Sequence, residues 1–290
     1  MRSDSPLGAC KAASLSVLLA LGVAPAPAFD LGRGPVTASL LAEQDGVVPG
    51  APLTLAVRLS HSTGWHSYWL VPGDAGLPTR VNWRLPVGFR AGELQWPSPR
   101  RLVIGPLVDF GYEGQTLLLT RIEPPAALDP GDDVRFEAHV EWLMCRDVCI
   151  PASADLALTL PARDAASVRP SEFAPAFDQA RRRVPQPLQL AAALATRAGR
   201  RVSLSFAAQR TLRSLEFFPS EAGRIEPSAP QLLHMSGQSV QLDLVAAEPA
   251  PPGFDTLRGV LVADGGVDSD GGWIGTIEVP ISQAPEAAVH

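Results

Sequence analysis

The chain has 290 residues, 46% of them apolar, with 29 Pro, 25 Gly and a formal net charge of −6. That length exceeds one small domain and suits two β-rich domains, each able to bury a core. The apolar share, with no long charge run, suits a folded chain better than a disordered or fibrous one, and the acidic balance argues against nucleic acid as a partner.

In chain order, Arg2 and Lys11 precede an apolar run from Ala12 to Val23, which Ala26-Pro27-Ala28 follows as a small-x-small cleavage site. Residues 1–28 are therefore expected to be a secretory signal peptide. The run is well short of the roughly 20 residues that span a bilayer, so a periplasmic mature chain without a membrane span is expected. Leu7-Gly8-Ala9-Cys10 looks like a lipoprotein box but precedes the apolar run, which is the wrong order. Taking Arg2, Lys11 and Asp4 out of 24 Lys plus Arg and 30 Asp plus Glu leaves 22 against 29, a net charge near −7. Lys11 is the only lysine, so Schiff-base chemistry and lysine-dependent phosphate loops drop out of the mature chain.

Residues 29–161 show period-two alternation, as in Leu53, Leu55, Val57, Leu59 and in Val134, Phe136, Ala138, Val140. Turn clusters such as Pro72-Gly73-Asp74 and Asp129-Pro130-Gly131 separate the runs. This predicts an immunoglobulin-like β-sandwich. Residues 162–187 break the alternation: Phe173, Phe177 and Ala180 share a helical face, and Arg181 to Arg183 suit a helix C-terminus, which predicts a linker with a short helix. Alternation resumes over 188–282, as in Val202, Leu204, Phe206 and Val240, Leu242, Leu244, predicting a second sandwich before a tail at 283–290. The fold class expected is all-β, two immunoglobulin-like sandwiches joined by a short helical linker, with a spacing, docking or recognition role for the second.

Cys10 leaves with the leader, so two cysteines remain in an oxidising setting where thiols pair, and one reversible disulfide is expected. They lie in Trp142-Leu143-Met144-Cys145-Arg146-Asp147-Val148-Cys149-Ile150-Pro151. Residues four apart in one extended strand are about 13 Å apart, beyond disulfide reach, so the chain must bend at Arg146 to Val148. Closing a five-residue ring contributes about 2 kcal/mol in the chain-entropy model, against about 4 for a ring of some 60 residues. A poor staple can open without unfolding the domain, the property a redox relay needs. Two other readings stay open: a binding or assembly module with a structural disulfide, and copper handling, in which Met144, Cys145 and Cys149 are soft donors and His66 or His139 completes the set. The run Asp264 to Gly272 looks like a calcium loop but lacks the closing glutamate, and a glycine-rich hairpin is expected there. Trp83, Trp96 and Trp142 are read as packing residues.

Five motifs occur in order: Gly64-Trp65-His66-Ser67-Tyr68-Trp69, Pro72 to Thr79, Gln95-Trp96-Pro97, Phe110-Gly111-Tyr112-Glu113-Gly114 and Cys145 to Pro151. Together they resemble the amino-terminal periplasmic part of DsbD-like proteins, in particular the ScsB branch, over roughly residues 35–161. The resemblance implies Cys145 and Cys149 as an exchanging pair that takes electrons from a membrane donor through a thioredoxin-like carrier and passes them to periplasmic client proteins, without a cofactor. It implies a covering loop at Asp109-Phe110-Gly111-Tyr112-Glu113, with Phe110 or Tyr112 as shield, and Tyr68 and His66 lining the site. Asp109 and Glu113 are candidates for proton movement, although carboxylates beside a thiol raise its pKa. Family members continue into a membrane domain and a thioredoxin-like domain, whereas this sequence stops at His290, so a separate reductant is expected.

Overall fold

The computed structural model describes residues 34–249 and 252–283. The expected leader and nearly all of the tail lie outside them. The first part runs β1 (Val36–Ala42), β2 (Leu53–His61), β3 (Ser67–Gly73), β4 (Arg80–Arg84), β5 (Arg90–Gln95), β6 (Arg100–Ile104), β7 (Leu107–Tyr112), β8 (Gln115–Glu123), β9 (Asp133–Cys145) and β10 (Cys149–Pro161). After helix α1 (Ala174–Arg183) come β11 (Gln186–Pro187), β12 (Ala191–Ala198), β13 (Arg201–Ala207), β14 (Leu215–Pro219), β15 (Leu232–Ser236), β16 (Ser239–Val245), β17 (Thr256–Ala263) and β18 (Trp273–Gln283).

Three sheets build the first part, in the orders β1-β2-β8-β5, β10-β9-β4 and β3-β7-β6. Alternation places Leu55, Val57 and Leu118 of the first sheet against Phe136, Ala138 and Val140 of β9 in one core. The intervening residues Leu41, Ala56, Leu117 and Leu119 are buried on the opposite face, under Phe177 and Ala180 of α1. This sheet is covered on both sides, which is why its strands read as continuous apolar runs such as Leu117-Leu118-Leu119. The helix begins with a proline in its first turn and ends on Arg181 to Arg183, as the dipole favours. Arg181 anchors it by donating from Nη2 to both carboxylate oxygens of Glu43, at 2.7 and 2.8 Å. The predicted linker helix is thus docked on the sheet, and its apolar face is the one the sequence marks.

The second part forms a continuous strand path, β14-β17-β18-β12-β13-β16-β15, with β11 also paired to β18. β18 serves both halves of the path: Trp273 to Pro280 pair antiparallel with β17, and Ile281 to Gln283 pair parallel with β12. Its core gathers Val202, Leu204, Val240, Leu242, Leu261 and Phe217.

The two parts do not keep separate cores. Phe217 and Phe218 are consecutive in β14, so they point to opposite faces: Phe217 enters the second core, and Phe218 joins Val260 and Val262 in the first. The Phe218 ring meets Phe110 edge-on at 5.1 Å between centroids and Trp69 at 6.2 Å. Such edge-to-face pairs add to the area buried. Phe218 is fully buried, so Phe218→Ala is expected to lower unfolding stability by about 3–5 kcal/mol. Denaturant titration would show this, and a loss below about 1 kcal/mol would mean that the shared core does not hold the two parts together.

Candidate redox site

β9 ends at Cys145 and β10 begins at Cys149, with Arg146 to Val148 turning the chain between them. The hairpin register pairs the two cysteines directly across the strands. Their Cα atoms are 4.2 Å apart and the sulfurs are bonded at 2.03 Å. The bend required by the spacing is therefore a hairpin turn, and the disulfide is a cross-strand pair at its tip.

The two sulfur-bearing residues differ in environment. Cys145 is 2% exposed, whereas Cys149 is solvent-exposed. The cover over Cys145 comes from the strip that leads into β3. His66 donates its backbone N–H to the Cys145 carbonyl and accepts the Cys145 N–H in return, both at 3.0 Å. One residue into β3, the Tyr68 hydroxyl donates to Cys145 Sγ at 2.8 Å and lies 3.5 Å from Cys149 Sγ. Burial and the neighbouring Asp109 carboxylate push the Tyr68 phenol far above its usual range, so it remains a protonated donor.

Asp109 reaches the cluster from β7. It is 2% exposed, and its Oδ2 lies 3.7 Å from His66 Nε2. Its Oδ1 accepts the Ala75 N–H at 3.1 Å, while Asp74 Oδ2 accepts the Val108 N–H at 2.7 Å. These two bonds tie the loop after β3 to β7 and carry Gly76 onto Tyr68. Gly76 has φ +99°, and a Cβ there would come within 2.2 Å of the Tyr68 ring. Only glycine satisfies both demands. The His66 and Tyr68 rings meet edge-on at 5.2 Å.

Of the residues singled out in the sequence, Cys145, Cys149, Tyr68, His66 and Asp109 come together. Phe110 and Tyr112 require a correction. In β7 they alternate with Asp109 and so occupy its other face. Phe110 packs on Phe218 in the core, and Tyr112, buried, donates its hydroxyl to the Pro97 carbonyl at 2.7 Å. The aromatic that touches the sulfurs is Tyr68. Glu113 is exposed, next to Gly114, whose carbonyl faces His61 Nδ1 at 2.8 Å. The sequence reading missed the loop of Asp74, Ala75 and Gly76 as the backing of the site. Its signal was the glycine pair in Pro72 to Thr79, whose need for close approach depends on a tyrosine that only the fold brings there.

Of the residues considered for copper, Met144 and His139 stand apart from the two sulfurs and His66. Met144 alternates with Cys145 and is buried in the main core, and His139 Nδ1 is 3.0 Å from Asp155 Oδ1, six residues back along β9. Among the described residues no group of three or more His, Cys, Asp or Glu is arranged to hold a metal ion. In the glycine-rich run, Asp264 accepts the N–H groups of Arg213 and Ser214 and pairs with Arg210, and Asp268 pairs with Arg183. Trp83, Trp96 and Trp142 all pack in or against the main core.

Removing the phenol hydroxyl should weaken the stabilisation of sulfur charge at Cys145. A hydrogen bond to a charged group contributes about 1.5–3 kcal/mol, so Tyr68→Phe is expected to slow thiol exchange about ten- to a hundred-fold. Stopped-flow reduction by a small dithiol measures this, and an unchanged rate would remove Tyr68 from the chemistry.

The family described as "Thiol:disulfide interchange protein DsbD, N-terminal" matches residues 37–161. The N-terminal periplasmic domain of ScsB from Proteus mirabilis superposes with a TM-score of 0.62 at 17% identity, over 86% of this chain and 92% of that one. A protein of unknown function from Porphyromonas gingivalis W83 aligns over 85% of this chain and 100% of its own at 10% identity, but its TM-score of 0.25 is too low to carry a likeness of fold. No curated protein matches the chain. The hairpin disulfide, its cover and the match over 37–161 lead to one conclusion: this stretch of the chain is a DsbD-type N-terminal domain.

Proposed function

We propose that this chain acts in the periplasm as a disulfide-exchange relay, passing electrons from a thioredoxin-like carrier or a membrane donor to client proteins through Cys145 and Cys149. The observation that carries this reading is the asymmetry of the pair. An incoming thiolate can reach the exposed Cys149, and the sulfur that must leave, Cys145, already holds the Tyr68 hydroxyl. Exchange rates rise when the leaving thiolate is stabilised and the attacked sulfur is accessible.

The surroundings of Cys149 support a protein partner. Val148, next to Cys149 in the chain, and Leu77, on the adjoining groove, are 62% and 61% exposed, and contiguous exposed apolar surface rimmed by polar residues marks a binding patch. A groove of about 320 Å³ lined by Leu77, Pro78, Leu143 and Pro151 lies on the same face of the β9–β10 hairpin as the sulfurs, because Leu143 and Pro151 alternate in phase with the cysteines. Arg80 and Glu141 add charge to it. The second sandwich, 188–282, is assigned a spacing or docking role in the relay.

Single-cysteine variants test the assignment. Cys145→Ser, which keeps Cys149, should trap a mixed disulfide with a thioredoxin-like partner, and Cys149→Ser should trap it on the order of tenfold more slowly or not at all, since its remaining sulfur is buried. Equal trapping through either residue would overturn the assigned roles. The wild-type couple should equilibrate with thioredoxin-like dithiols near about −270 mV, and a potential below about −300 mV would mark a structural bond instead. Reduction should cost only about 2 kcal/mol of stability, as expected for a small ring. Unfolding of the reduced chain under the same conditions would contradict a relay.

A further inference from the structure

The oxidised site contains a buried line of polar groups that runs past what attack at Cys149 requires. His66, Asp109, Tyr68 and Cys145 are 4%, 2%, 1% and 2% exposed. Tyr68 donates to the Cys145 sulfur, and the Asp109 carboxylate acts on the Tyr68 phenol through its charge. At the far end, His66 Nε2 lies 3.7 Å from Asp109 Oδ2 and has no hydrogen-bond partner among the described residues. That distance is too long for a hydrogen bond and short enough for strong charge attraction. A buried ring nitrogen left without a partner costs free energy that a change at the site can relieve.

Reduction changes the charge at the opposite end of this line. When a partner thiolate bonds to Cys149 Sγ, the sulfur–sulfur bond breaks and its electron pair leaves on Cys145 Sγ. That sulfur is buried and bonded by the phenol on which the Asp109 charge acts, so a second negative charge there is unfavourable unless a positive one joins it. The balance supplies the proton, because the attacking thiol released one to solvent when it ionised. The partner's second thiol then ionises and attacks its own sulfur in the mixed disulfide, leaving the partner oxidised and Cys149 as an exposed thiolate that is protonated from water.

We infer that His66 takes up the proton that accompanies reduction, becoming an imidazolium against Asp109 and so holding the net charge of the buried cluster constant when Cys145 becomes a thiolate. This rests on the exchange proposed for the two cysteines. In the dithiol form the Cys145 thiolate and the His66 imidazolium cancel. His66 is a positioning residue here: its imidazole acts on the sulfur through Asp109 and Tyr68.

The other charged groups around His66 are otherwise engaged. His61, at the end of β2, lies 2.8 Å from Ser67 Oγ through Nε2 and 2.8 Å from the Gly114 carbonyl through Nδ1, and burial pulls its imidazole below the usual range. Asp74 accepts the Val108 N–H. Arg146 stacks over Trp65 at 5.3 Å and pairs with Asp147 in solvent. Glu113 is exposed.

The test follows the histidine ring resonances of the full chain by NMR, from about pH 5 to about pH 8, in the disulfide and dithiol forms. The His66 signal is assigned by its absence in His66→Gln, or in His66→Asn should the first variant fail to fold. The expected result is a His66 titration curve displaced to higher pH by about one unit in the dithiol form, with the His61 curve nearly unmoved. Coincident His66 curves in a protein that still exchanges with a small dithiol would overturn the inference, as would a displacement carried by His61. A protein that does not exchange at all would overturn the reading of the cysteines, which is a different outcome seen in the same samples.

Discussion

A disulfide across the mouth of a hairpin has one partner at the end of each strand, and what packs over those ends decides how each sulfur behaves. Here β9 arrives with the segment at His66 bonded to its last residue, so Cys145 is sealed by main chain before any side chain contributes. β10 departs from the tip with no such cover at Cys149. The rest of the site follows from that inequality: Tyr68 reaches the covered sulfur, Asp109 stands behind Tyr68, and Gly76 leaves the ring room to lie there.

The inequality also separates redox chemistry from stability. The ring joining the two cysteines is small, so opening it releases little chain entropy to the unfolded state. The fold instead rests on the cores to either side of the first sheet and on the shared aromatic contact of Phe218 with Phe110 and Trp69. Residues committed to that core lie on one face of β3 and β7, and residues committed to the sulfurs lie on the other. Trp69 and Tyr68 are adjacent in sequence and serve different ends, as do Phe110 and Asp109. Strand alternation lets a dense core and a polar site share the same two strands.

Much of this was legible in the residues. Period-two alternation marked the strands, and the helix face of Phe173, Phe177 and Ala180 was visible before its sheet was known. The spacing of Cys145 and Cys149 demanded a bend, because four extended residues cannot bring two sulfurs together. The shield was misplaced because Phe110 and Tyr112 look interchangeable with Tyr68 in composition, and the parity of β7 relative to the core is a matter of register. The joint core was missed for a similar reason. Consecutive phenylalanines at 217 and 218 read as one apolar pair until the strand between two cores gives each a side.

The sequence by itself determined the chemistry available: two cysteines in one short segment and no lysine beyond position 11. It also determined the alternation that makes the chain a β-protein, since side-chain polarity at period two is a local property. Tertiary structure alone decided which sulfur is reachable, which aromatic touches it and that His66 and Asp109 meet. Those facts depend on pairing between strands far apart in the chain, and local sequence carries no direct record of such distances.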